Sequence, residues 1–174
     1  MNILISIIVG VLSSFAASGL FLWFISHFRP NILISEKIAE GKTSKEELAY
    51  KIKVINKTKR SVVNIKAQLH LIIPTVVPGG TILKSRKIEL KRPDPLEISK
   101  YDPKDTEGNY AFIFLTYEDL KEILKNENNT YLKFRIFATD SFSGFGKTFN
   151  QDYHTIRDSF VKGAFEPCDS FEIK

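Results

Sequence analysis

Two Gly-Lys-Thr triplets, at 41–43 and 146–148, are the first candidates for chemistry in this chain. A phosphate-binding loop needs G-x-x-x-x-G-K-[ST] between a strand and a helix, so that backbone N–H groups cradle the phosphate. Glu36 and Ser141 stand where the first glycine would have to be. The triplet at Gly146 reads as a hairpin turn entering a strand, and the one at Gly41 as part of a loop. His27, His70 and His154 have no metal-like spacing with one another or with Cys168. Asp102, Asp105 and Glu107 share a loop but lack the D-x-D-x-D-G order of a calcium site. No Ser-His-Asp arrangement emerges, so no catalytic, cofactor-binding or metal-ligating residue is assigned.

Two other groups of residues carry more information. Small side chains recur at Ser6, Gly10, Ser14 and Ser18, an unbroken i+4 row that makes one smooth helical stripe. That geometry lets two membrane helices approach closely, and it points to self-association. Basic residues Lys51, Lys53, Lys57, Lys59 and Arg60 cluster around an expected hairpin, with Lys51 and Lys53 on its outward face. They form a candidate surface for an anionic ligand, such as anionic lipid, or for another protein. No aromatic side chain is interleaved with them there, which argues against nucleic acid.

The element that must carry the small-residue row is Ile3–Phe28, which contains no Lys, Arg, Asp or Glu. As a helix it would be about 39 Å long, enough to cross a hydrocarbon core. Only Met1-Asn2 precedes it, and the apolar run continues past Ala16-Ala17-Ser18, so an uncleaved anchor fits better than a signal peptide. Arg29, Lys37, Lys42 and Lys45 follow the run, which predicts an N-terminus outside and a cytoplasmic domain at the inner or plasma membrane. Trp23, His27 and Arg29 would sit at the membrane interface.

The remainder, 30–174, has the size of one domain. Fourteen Phe and six Tyr favour a β-rich core. All 25 basic and 20 acidic residues lie from Arg29 onward, so the +5 net charge belongs to this part. One cysteine excludes an internal disulfide framework and suits a reducing compartment. Strands are expected at Asn31–Ser35, Leu48–Asn56, Val62–Ile73 (ended by Pro74), Thr81–Leu90 and Tyr110–Thr116. Thr116 is expected to cap a short helix through Leu124. A turn at Asn126–Asn129, a strand at Thr130–Thr139, a hairpin at Asp140–Gly144 and a strand at Phe145–Tyr153 follow. Glu36–Glu47 is expected to be a loop, and a last strand or two to lie within Val161–Ile173. The pattern describes a mainly β sandwich with one short helix, preceded by a single transmembrane helix.

The order of these signals resembles the cytoplasmic domain of inward-rectifier potassium channels. His27-Phe-Arg-Pro30 followed by Ile32-Leu-Ile-Ser35 is similar to the exit of their inner helix. Tyr50–Lys57 with Val63–Leu71 is similar to the first long hairpin of that domain. Leu132–Ala138, Ser143-Gly144, Tyr153, Ile156, Gly163 and Phe165 are similar to its closing hairpin and ending. The resemblance implies an immunoglobulin-like sandwich of a kind those channels assemble as a tetramer. A first membrane helix, a pore helix and a T-V-G-Y-G filter are missing, so this chain by itself cannot conduct potassium. The expected role is a membrane-anchored, non-catalytic binding module that forms homo-oligomers through its helix. Two alternatives are an effector whose clustered helices disturb the bilayer, and a membrane-tethered enzyme.

Overall fold

A computed structural model describes residues 3–43, 46–125 and 129–174, with side chains also described except at Leu4. Lys45, and most of the turn expected at Asn126–Asn129, lie outside the described residues. Strand outweighs helix by 44% to 20%, which makes the chain mainly β. Helix α1, Ile3–Ser26, is apolar along its length and stands apart from the rest.

The strands form two sheets. In the first, β3 (Leu48–Asn56) pairs on one side with β7 (Ala111–Thr116). On its other side it pairs with β1 (Ile32–Ile34) and then β2 (Ile38–Lys42), end to end. Ser35 joins these two without breaking the ladder, since its N–H donates to Lys53 and its hydroxyl accepts from Lys53 N–H. β10 (Phe160–Lys162) completes this sheet, parallel to β2. In the second sheet β4 (Val62–Val77) pairs with β8 (Tyr131–Asp140), which pairs with β9 (Gly146–Tyr153). The far edge of β4 is covered first by β6 (Glu97–Ile98) and then by β5 (Gly80–Ile88).

Alternation along each strand sends one face into the core. Ile52, Val54 and Phe114 from the first sheet meet Leu69, Leu71, Phe134 and Ile136 from the second. The Phe114 and Phe134 rings meet across the sheets, 5.4 Å between centroids. Two buried tyrosines find partners for their hydroxyls, Tyr50 on Asp119 at 2.9 Å and Tyr153 on the Ser35 carbonyl at 2.8 Å. Both phenols are held above their ordinary pKa, chiefly by burial.

Several expectations need correction. Glu36–Glu47 is not all loop, because β2 occupies its middle with Ile38 and Ala39 fully buried. Its polar composition hides a strand held between β3 and β10, and Gly41 is required there: a Cβ would lie 2.8 Å from the Gly163 carbonyl oxygen. Pro74 does not end its strand. β8 pairing stops at Ile72, so among the described residues no strand pairs with that edge of β4 beyond it, where a residue with no N–H is tolerated. The helix after β7, α2 (Leu120–Lys125), is capped by Asp119, which accepts from the Lys121 and Glu122 amides, rather than by Thr116. An unforeseen turn of helix, α3 (Ile156–Ser159), begins at Thr155.

The largest correction concerns residues 50–71. β3 and β4 are not a hairpin but belong to different sheets, joined by the corner Lys57–Ser61. Asn56 is buried and sets that corner. Its side-chain amide donates to the Arg60 and Ser99 carbonyls, and its oxygen accepts from the Thr58 amide.

Phe134 is fully buried at the centre of the contact between the sheets. Phe134→Ala should lower unfolding stability by about 3–5 kcal/mol, read from the urea midpoint at unchanged slope.

Candidate functional site

The described residue with most consequence for the helix is Asp140, at the end of β8. Its carboxylate is wholly buried, and three donors converge on it. The Phe142 and Ser143 amides donate to Oδ1 at 3.1 and 2.9 Å, and Arg60 Nε donates to Oδ2 at 2.8 Å. Burial pushes the Asp140 carboxyl upward, but the Ser143 and Phe142 amides with the Arg60 guanidinium outweigh it and hold it below the ordinary range. The result is a rigid turn at 140–144, locked to the corner between the sheets.

That turn grips the end of α1. The Ser143 hydroxyl donates to the Phe28 carbonyl. The Phe28 ring meets Phe142 edge-on at 5.5 Å, and the Arg60 guanidinium lies 4.6 Å from its centroid. Three residues on, the Asn31 carbonyl accepts from the Lys57 amide at 2.8 Å. Helix and sandwich are therefore joined by a packed collar, not by a free linker. Phe142 remains 65% exposed beside it. Its aromatic neighbour Phe145 is also exposed.

The expected site residues fall in three places. Ser6, Gly10, Ser14 and Ser18 share one open face of α1, and a Cβ at Gly10 would meet nothing within 4 Å. Trp23, His27 and Arg29 are exposed at the end of α1, with the Trp23 and His27 rings 4.7 Å apart. The five basic residues do not form one surface, because the corner separates them. Lys59 is exposed and Lys51 half-buried, while Lys57 pairs with Asp169 at 3.2 Å and Arg60 is taken by Asp140.

Lys53 overturns its expectation outright, for it is only 2% exposed. The back of β3 is covered by the C-terminal hairpin 164–174, closed by paired amides of Ala164 and Lys174. Lys53 Nζ donates to the Glu166 and Ser170 carbonyls of that hairpin, at 2.6 and 2.8 Å. Burial lowers its pKa, partly offset by the charges of Asp169 and Glu166. Strand alternation marks a second face; it does not reveal that a distant segment covers it.

The other candidates serve local structure. Asp102 and Asp105 accept amides of their own loop, and among the described residues no group of three His, Cys, Asp or Glu could hold a metal ion. Cys168 is half-buried against the same loop. Gly146 opens β9 directly, pressed under the Phe137 ring. Asp140, Ser143 and Phe28 were not foreseen as a unit. The available signal was an acidic residue closing a strand just before a Ser-Phe-Ser-Gly turn.

Asp140→Ala would strand two amides and one guanidinium, lowering stability by about 2–4 kcal/mol. With its pKa depressed on folding, Asp140 stabilises fully above its ordinary pKa of about 4, and that contribution fades as pH falls through the depressed value. Asp140→Asn should therefore shrink the acid-side loss seen in denaturant titrations. Lys53→Met should open the 164–174 hairpin, raising its carboxypeptidase cleavage rate about tenfold.

No family model matches the chain, and no curated protein matches it. Among solved structures it is similar to Spo0M, a sporulation control protein from Bacillus subtilis, at 14% identity and a TM-score of 0.39. The match covers 72% of this chain and 48% of that one, so this chain spans about half its length.

Proposed function

We propose that this chain is a single-pass membrane protein carrying a cytoplasmic, immunoglobulin-like domain with a non-catalytic binding role. The observation that carries this is the junction. A helix of 24 residues, apolar and unburied, runs with no linker into a collar that fixes it to the sandwich. An apolar helix with no protein against it needs lipid to cover it. The exposed Phe142 beside its end suits the level where aromatic side chains meet headgroups. Basic residues from Arg29 onward favour the cytoplasmic side.

The strand order supports the immunoglobulin-like type. β2–β3–β7 in one sheet, against β5–β4–β8–β9 in the other, follows the A–B–E and C′–C–F–G order of such sandwiches. The pairing of β6 with β4 departs from it. The likeness to inward-rectifier cytoplasmic domains rests on the same order.

The collar also favours an effector role. A rigid joint passes a change in the sandwich on to α1, and the small-residue face of α1 is open to a second copy. In that reading, binding at the sandwich changes how the helices associate.

Membranes from expressing cells should retain the protein through alkaline carbonate washing, and protease should digest the sandwich in inverted vesicles but not in intact cells. Release by carbonate, or digestion from outside, would remove the proposal. Cross-linking should capture an oligomer that Gly10→Leu diminishes.

A further inference from the structure

The outer face of the second sheet carries charge that its own side chains do not balance. Register places Lys87, His70, Lys133 and Asp152 in one row across β5, β4, β8 and β9. The next row towards α1 holds Gln68, Arg135 and Asn150, and the row beyond it Lys66 and Phe137. Lys133 has Asp152 at 3.3 Å, and Lys87 has Glu89, just past the end of β5, at 3.0 Å. Among the described residues Arg135 and Lys66 have no carboxylate partner.

This face is not flat. Over β4, between β5 and β8, lies a depression of about 180 Å³. Lys133, Arg135 and His70 line its basic half, and Ile72, Leu83 and Tyr131 its apolar half. The Tyr131 ring is braced by His154, 5.0 Å away.

We propose that this depression binds a small phosphorylated molecule, its phosphate groups on Arg135, Lys133 and His70 and its apolar or ring portion over Ile72, Leu83 and Tyr131. Arg135 presents a planar fork of donors suited to phosphate oxygens, and no carboxylate among the described residues pairs with it. The same phosphate chemistry occurs on lipid headgroups, but position argues for a soluble source. Along β8, Arg135 is five residues and Lys133 seven from Asp140, which puts them roughly 17 and 23 Å from the collar. A headgroup in the bilayer that holds α1 would not reach them.

His70 reports on occupancy. Burial lowers its pKa first, and the charges of Arg135 and Lys87 lower it further. The groups facing it are Lys87 from β5 and Lys133 and Arg135 from β8. Glu89 and Asp152 are each engaged with a lysine of this face. A bound phosphate offsets these cations, so the His70 pKa rises and the imidazole takes up protons on binding.

The choice of a soluble source rests on α1 spanning the bilayer, whereas the phosphate site itself does not, and it is tested on the full chain in detergent micelles. ATP titrated by calorimetry should bind saturably, and Arg135→Gln, a surface change that leaves the core intact, should weaken it at least about tenfold. Lys59→Gln, at the exposed corner, should leave the affinity unchanged. The His70 imidazole resonance should titrate at higher pH with ATP present. The assignment is overturned if neither ATP nor pyrophosphate binds saturably, or if Arg135→Gln binds as tightly as the parent. It is equally overturned if the His70 titration does not move, or if Arg135-dependent binding occurs only to phosphatidylserine nanodiscs.

Discussion

A single buried carboxylate holds the two parts of this molecule in register. Asp140 ends β8 where the chain must turn, and it lies against the corner where the chain crosses from one sheet to the other. Its two oxygens collect two turn amides and one guanidinium, so protein donors compensate its buried charge. The turn thereby presents Ser143 to the Phe28 carbonyl and Phe142 to the Phe28 ring. Arg60, fixed by the same carboxylate, lies over that ring. Orientation of α1 relative to the sandwich depends on these contacts, because only Arg29 to Asn31 separate Phe28 from β1.

The second constraint is that β3 is buried on both faces. Its core face packs against the second sheet, and its back is closed by the C-terminal hairpin. A lysine at the middle of that back face looks misplaced, yet its ammonium group is what the hairpin needs. The Glu166 and Ser170 carbonyls point inward and would otherwise lack donors. Lys53 thus works as an internal clamp, and it is lost as a surface charge.

Charge is unevenly used across the molecule as a result. Basic residues near the corner are consumed by structure: Arg60 by Asp140, Lys57 by Asp169, Lys53 by the hairpin. On the outer face of the second sheet Lys133 and Lys87 are likewise paired, whereas Arg135 and Lys66 have no carboxylate partner among the described residues. The faces left open among the described residues are the apolar surface of α1 and this basic sheet face.

Local pattern was sufficient for much of this. An uninterrupted apolar run and the absence of charge before Arg29 determined α1, since helix length and hydrophobicity are properties of neighbouring residues. Strict alternation located β3, β4 and β8, and Asp140–Gly144 was legible as a turn. What alternation cannot say is which strand sits beside which. The pairing of β3 with β7, and the separation of β3 from β4, arise from contacts between residues far apart in the chain. So do the burial of Lys53 beneath residues 164–174 and the convergence of Phe28, Arg60 and Asp140. The row of Lys87, His70 and Lys133 on one surface is of the same kind. Register between distant strands places these side chains together, and register is set only when the whole core closes.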